Sequence, residues 1–241
     1  AAGARILRNK VPEANIGTTF SCTHIEPATE SAKDVEAAKR VDTLLNRTFI
    51  EPILGLGYPQ KDLPVLKKLN NYILEDDLNN LDFDFDFIGL QCYTREVVKS
   101  SILTPYIGAE LVSAEKRNVI STEMGWEVYP PALYHVLEKF NKYDKIKKII
   151  ITENGAAFPD TVTNGKVFDI KRTHYIQDHL EQILKAKKNG LNVEGYFVWS
   201  LTDNFEWAEG YNARFGLIHV DFETQKRTIK NSGLWFKDFL S

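Results

Sequence analysis

Short apolar runs alternate with longer amphipathic stretches along the whole chain. Four of the runs read as buried strands: Ile16–Ser21, Asp86–Gln91, Lys148–Thr152 and Val193–Ser200. The run Ile149-Ile150-Ile151 is β-branched throughout, as expected of a strand covered on both faces. The stretches between carry helical spacing. Glu30 to Ile53 places Val41, Leu44, Leu45 and Phe49 on one side, and Pro64 to Leu74 does the same with Val65, Leu66 and Leu69. Pro130-Pro131 opens a third helix, in which Leu133, Val136, Leu137 and Phe140 share a face; proline suits a first helical turn. Lys171 to Asn189 pairs Tyr175/Ile176, His179/Leu180 and Ile183/Leu184, and stops at Asn189-Gly190. Asn231 to Leu240 predicts a terminal helix that buries Leu234, Trp235 and Phe239. Phe215–Phe222 and Lys226–Lys230 predict a hairpin turning at Glu223-Thr224.

Strand and helix thus alternate four times, which implies a parallel sheet covered by helices. With no internal repeat and no linker-like stretch, residues 1–241 are expected to form a single unit.

Composition narrows the function classes. Hydrophobic residues at 43% and charged residues at 26% describe a globular core. The formal net charge of -3, with Lys and Arg dispersed, argues against nucleic acid or an anionic membrane surface as the main partner. No run approaches the ~20 apolar residues that span a bilayer. No signal peptide is recognisable, which favours a cytoplasmic location as an expectation. Cys22 and Cys92 are expected to be buried free thiols. The five histidines form no metal-ligand pattern, so neither a metal nor a cofactor is expected. Asn46-Arg47-Thr48 has the form of a glycosylation sequon, but it lies inside a helical pattern and reads as chance.

Candidate chemistry gathers just past the strand ends. Cys22 and His24 follow the first strand, Gln91 and Tyr93 the second, Glu153 and Asn154 the third, and Trp199, Asp203, Asn204, Glu206 and Trp207 the fourth. Parallel α/β sheets and barrels build their sites at these ends. Alone, Glu153 before Asn-Gly would read as a surface carboxylate capping a turn. Tyr93 on a neighbouring strand end changes this, because a phenol donating to the ionised form aims the carboxylate lone pair, as a nucleophile needs. Glu206-Trp207 pairs a carboxylate that can accept from sugar hydroxyls with an indole that can donate or stack.

At these residues the sequence closely resembles glycoside hydrolase family 1, the β-glucosidase and β-galactosidase group of (β/α)8 barrels. The blocks that carry the resemblance are Ile151-Thr152-Glu153-Asn154-Gly155, the stretch from Gly195-Tyr196-Phe197-Val198-Trp199-Ser200 through Asp203-Asn204-Phe205-Glu206-Trp207 to Arg214-Phe215-Gly216, and Met124-Gly125-Trp126-Glu127. The resemblance implies a retaining β-glycosidase with Glu153 as nucleophile and Tyr93 as the residue that orients it. It implies Trp199 as the platform under the sugar, Glu206 and Trp207 as the grip on its far hydroxyls, Phe215 as a wall, and Trp126 towards the aglycone. Gln91 stands where the family usually has Asn, as a further sugar contact, and Thr202 replaces an apolar residue. Around Glu206 the run Glu206-Trp207-Ala208-Glu209 lacks the Ser and Lys of the phospho-sugar branch, which favours an unphosphorylated sugar.

The same resemblance defines what to expect of the chain's extent. The family's acid/base sits in an Asn-Glu-Pro motif after the fourth barrel strand, and no such tripeptide occurs here. Glu26-Pro27 follows the strand that aligns with the fifth, and Glu51-Pro52 lies in a helix. The expected fold is therefore α/β, the C-terminal half (strands five to eight) of a (β/α)8 TIM barrel, with Ala1–Leu7 as the tail of the preceding helix. A half barrel leaves two strand edges and an apolar inner face open. The expected partners are a β-glycoside substrate and either the missing N-terminal half-barrel or a second copy of the chain. Alone, the chain is expected to be catalytically incomplete, and a purely structural half barrel is the alternative.

Overall fold

The computed structural model covers residues 1–241. Helix α1 (Ala2–Lys10) leads into β1 (Gly17–Ser21) and β2 (His24–Pro27). The long amphipathic stretch follows as α2 (Ala32–Asp42), a π-helical turn over Thr43–Arg47, and α3 (Thr48–Ile53). A 3-10 segment, Pro64–Asn71, precedes α4 (Asp77–Leu81), β3 (Phe87–Gln91), β4 (Arg95–Ser100) and β5 (Ala109–Leu111). Next come α5 (Pro131–Phe140), β6 (Ile149–Asn154), the small hairpin β7 (Val162–Thr163) and β8 (Lys166–Val167), and α6 (Ile170–Lys188). The chain finishes with β9 (Val193–Val198), β10 (Ile218–Val220), β11 (Arg227–Ile229) and α7 (Asn231–Leu240).

The central sheet has the order β1-β3-β6-β9, with every pairing parallel. Its register brings the C-terminal ends together: Ser21 lies opposite Gln91, Gln91 opposite Glu153, and Asn154 opposite Val198. Helices α5 and α6 cover one face. Leu133, Leu137 and Phe140 of α5 and Tyr175 and Ile176 of α6 pack with Leu90, Ile149 and Ile151 in the main core. Each such side chain stabilises the fold by roughly 1.5–3 kcal/mol relative to exposure. No helix is long and apolar enough to cross a membrane.

Several expectations change here. The Ile149-Ile150-Ile151 strand is sealed on one face only: Ile149 and Ile151 are buried, whereas Ile150 is half-exposed. The sheet is open as expected, with β1 and β9 as unpartnered edges and Phe197 of β9 exposed. The helix anticipated over Glu30 to Ile53 is interrupted by the π turn, where Asn46 faces inward. Its Nδ2 donates to the Thr23 carbonyl at 2.9 Å and its Oδ1 accepts from the Thr23 N–H at 3.1 Å. That burial also supports reading the sequon as chance. Pro64 to Leu74 is a shorter 3-10 segment instead of an α-helix.

The apolar pattern missed a second sheet, β2-β4-β5, packed on α2 through Ala37, Ala38, Val41, Val98 and Ala109. Its strands are short and largely polar, so they show little period-2 signal. Both cysteines are free and buried.

Candidate active site

All eight predicted site residues line one cavity of about 440 Å³ at the C-terminal ends of the central strands. Gln91 ends β3 and Tyr93 follows it, Glu153 lies near the end of β6, and Trp199 comes directly after β9. Glu206, Trp207 and Phe215 come from the loop between β9 and β10, and Trp126 from the segment before α5. Met124, Ala208 and Glu209 complete the wall and were not predicted. Met124 and Ala208 carry no chemical signal in sequence, and Glu209 reads as an ordinary loop carboxylate.

Glu153 is held at both oxygens. Gln91 Nε2 donates to Oε1 at 2.8 Å, and Tyr93 Oη donates to Oε2 at 2.5 Å. Gln91 and Tyr93 are two residues apart, so an extended backbone turns both towards the same side. Burial pushes the Tyr93 phenol far above its ordinary value, and the bond to Glu153 raises it further, so the phenol remains a donor. The Tyr93 ring packs in a triangle with Trp126, at 5.3 Å between centroids, and Phe215, edge-on at 6.2 Å, which themselves lie 6.1 Å apart.

Glu206 is buried, and Trp199 Nε1 donates to its Oε1 at 3.1 Å. Burial raises its carboxyl above the usual carboxylate range and the charge of Glu153 adds to that, against the bond from Trp199. Trp207 lines the cavity at its rim, 83% exposed, with a positive φ of 45°. The lining holds three carboxylates (Glu153, Glu206 and Glu209) and no Lys, Arg or His. It is an acidic, aromatic-walled recess suited to a ligand with hydroxyl donors and apolar ring faces.

Other strand-end residues do not reach the cavity. Cys22 is buried, with its thiol donating to the Gln91 carbonyl at 3.3 Å. His24 stacks on His135 at 4.6 Å in a separate recess. Asn154 is a buried cross-link, donating to the Cys92 carbonyl at 2.7 Å and accepting from Tyr196 Oη at 2.8 Å. Asn204 bonds to Ser200 Oγ and to the Thr202 carbonyl.

Asp203 belongs to an ion cluster behind the cavity. Lys230 Nζ lies 2.7 Å from Asp203 and 2.5 Å from Asp160, and Arg214 lies 2.7 Å from Asp203. Arg172 pairs with Asp160 at 3.0 Å and with Asp169 at 2.5 Å, and also donates to the carbonyls of Ala156, Phe158 and Arg214. The cluster therefore ties the loop after Glu153 to the loop carrying Glu206 and Phe215. Close backbone approach completes the tie. A Cβ on Gly155 would fall 1.8 Å from the Trp199 carbonyl oxygen, and one on Gly216 2.2 Å from the Asp203 nitrogen. Only glycine fits at either position.

The model of glycosyl hydrolase family 1 matches residues 1–241, the full chain. The chain belongs to glycosyl hydrolase family 1. It is 39% identical over 242 residues to a 1,4-beta-D-glucan glucohydrolase of Thermotoga neapolitana, covering 100% of this chain and 54% of that protein. It is 35% identical to a beta-glucosidase of an Agrobacterium species, covering 99% of this chain and 52% of that one. Among solved structures, the family 1 β-glucosidase of Thermotoga maritima superposes with a TM-score of 0.90 at 37% identity, over 98% of this chain and 53% of that one. The chain thus spans about half the length of the curated relatives it matches. Its parallel α/β sheet likewise corresponds to about half of the family 1 barrel structures, and its relatives are glycoside hydrolases of β-glucosidase type.

Proposed function

We propose that residues 1–241 form one unit, strands five to eight of a family 1 barrel, and carry the nucleophile of a retaining β-glucosidase. The observation that supports this most directly is the two-point grip on Glu153 at the floor of an aromatic recess. In the proposed reaction a Glu153 oxygen attacks the anomeric carbon of a β-glycoside. A carbon–oxygen bond to Glu153 forms as the bond to the aglycone oxygen breaks, and that oxygen leaves with the electron pair. Trp199 lies under the sugar ring, Glu206 and Trp207 take its hydroxyls, Phe215 walls the subsite and Trp126 faces the aglycone. The run Glu206-Trp207-Ala208-Glu209 and the three carboxylates on this chain's side of the recess favour an unphosphorylated sugar.

A retaining site needs a second carboxyl about 5–5.5 Å from the nucleophile to protonate the leaving oxygen. The chain contains no Asn-Glu-Pro to supply it. General-acid help is worth about 10²–10⁴-fold, so the chain alone hydrolyses ordinary glycosides very weakly or not at all. The open edges β1 and β9 and the exposed Phe197 favour closure by a second set of four strands, from an N-terminal half-barrel or from a second copy of this chain. A monodisperse monomer by light scattering at micromolar concentration would sink the self-pairing version.

The catalytic reading is tested with 2,4-dinitrophenyl 2-deoxy-2-fluoro-β-D-glucoside, whose dinitrophenolate needs no proton to leave. Intact mass spectrometry should show one sugar adduct, peptide mapping should place it on Glu153, and Glu153→Gln should remove it. A folded chain that takes no label refutes the nucleophile assignment and leaves a structural half barrel.

A further inference from the structure

The two donors on Glu153 are not equivalent to one donor counted twice. The terminal torsion of a glutamate is broad, so one hydrogen bond leaves the carboxylate plane free to swing about the bonded oxygen. Tyr93 holds Oε2 and Gln91 holds Oε1, which fixes the plane as well as the position. The sheet register makes this possible. A shift between Leu90 and Gln91 sets Gln91 directly opposite Glu153, across adjacent parallel strands. Reach matters too: Asn at position 91 would be one methylene, about 1.5 Å, shorter and would fall outside bonding distance without backbone movement. Gln91 is half-buried, and the one hydrogen bond its amide makes within the protein goes to Glu153.

We propose that Gln91 is a positioning residue that pins the carboxylate plane of Glu153 for attack, in place of the sugar contact expected from its sequence position. This rests on the nucleophile role proposed above for Glu153. It predicts a separation of two kinetic quantities. Losing the Gln91 donor leaves ligand binding alone and reduces the fraction of time that Glu153 is aligned. Losing a sugar contact would instead weaken binding.

The experiment measures labelling of the full chain by the same fluoroglucoside as a function of its concentration, for wild type and for Gln91→Met, which preserves length without a donor. Loss of a hydrogen bond to a charged group should slow the saturating labelling rate about 10- to 100-fold. The half-saturating concentration should stay within about twofold, with the near-ultraviolet circular dichroism unchanged. Should Gln91→Met not fold, Gln91→Asn, which draws the amide back from Glu153, should give the same split. Equal saturating rates in variant and wild type overturn the proposal while leaving the nucleophile role intact. A raised half-saturating concentration at unchanged rate overturns it in favour of direct sugar binding. Absence of label on wild type removes the nucleophile reading, and this proposal with it.

Discussion

Lys230→Met is a perturbation whose cost can be worked out from the structure. Lys230 is fully buried, with Nζ 2.5 Å from Asp160 and 2.7 Å from Asp203. The cluster balances three acids (Asp160, Asp169 and Asp203) against three bases (Arg172, Arg214 and Lys230). Burial alone would raise the Asp203 carboxyl, but Lys230 and then Arg214 outweigh it and hold the group below its usual range. Methionine fills the volume and removes the charge, leaving one uncompensated carboxylate with a side chain sealed from solvent. Breaking a buried pair by removing one partner costs about 3–5 kcal/mol. A folded domain holds only about 5–15 kcal/mol in all. For a chain of this length, a loss of about 4 kcal/mol lowers Tm by roughly 8–16 °C. Urea unfolding followed by tryptophan fluorescence measures it, with Lys230→Met/Asp203→Asn as the control. The double variant restores charge balance and should recover part of the loss, because the two sites are coupled. A single-variant loss below about 1 kcal/mol, or a double variant that is strictly additive, would refute the argument, since either result means the cluster is hydrated or only loosely paired.

Two further outcomes follow from separate features. His179 is buried, stacked on Tyr175 at 3.9 Å with Nδ1 at the Tyr175 carbonyl, and burial lowers its pKa to about 4. Between about 4 and the unfolded value of 6.5 only the unfolded chain binds the proton, so this contribution is complete above pH 6.5 and lost as pH falls towards 4. Wild type should lose up to about 3 kcal/mol more than His179→Gln across that window, and parallel urea-midpoint curves for the two would contradict the assignment. Gly155→Ala should fail to reach the native state or should displace the Trp199 backbone, because the added Cβ meets the Trp199 carbonyl oxygen at 1.8 Å. Native-like tryptophan fluorescence and circular dichroism in that variant would show that the contact relaxes easily.

Local pattern determined much of this protein. The four parallel strands, the helices α5 and α6 and the β10–β11 hairpin each follow from residues that are neighbours in sequence, because hydrophobic period and proline or glycine stops act within a single element. The family, too, was legible: the Glu153 block, the Trp199–Gly216 block and the Met124–Glu127 block are short and specific, and all eight candidate residues drawn from them and from Gln91 and Tyr93 line one cavity.

What sequence could not decide are the contacts between residues far apart in the chain. Strand-end position placed Cys22 and His24 with the site, yet the pleat turns Cys22 into the core and β2 carries His24 into a different sheet. Gln91 and Glu153 are 62 residues apart and meet only because the register shifts at Leu90/Gln91, which the composition of neither strand specifies. Asp160 and Lys230, 70 residues apart, look like surface charges when read singly. They become a buried pair because the β9–β11 loops fold back over the end of β6, and desolvation there makes the pairing obligatory. Sequence thus determined the four central strands, the helices that cover them and the family they serve. The tertiary structure decided which side chains share a low-dielectric interior, since register and burial arise only when the strands are assembled.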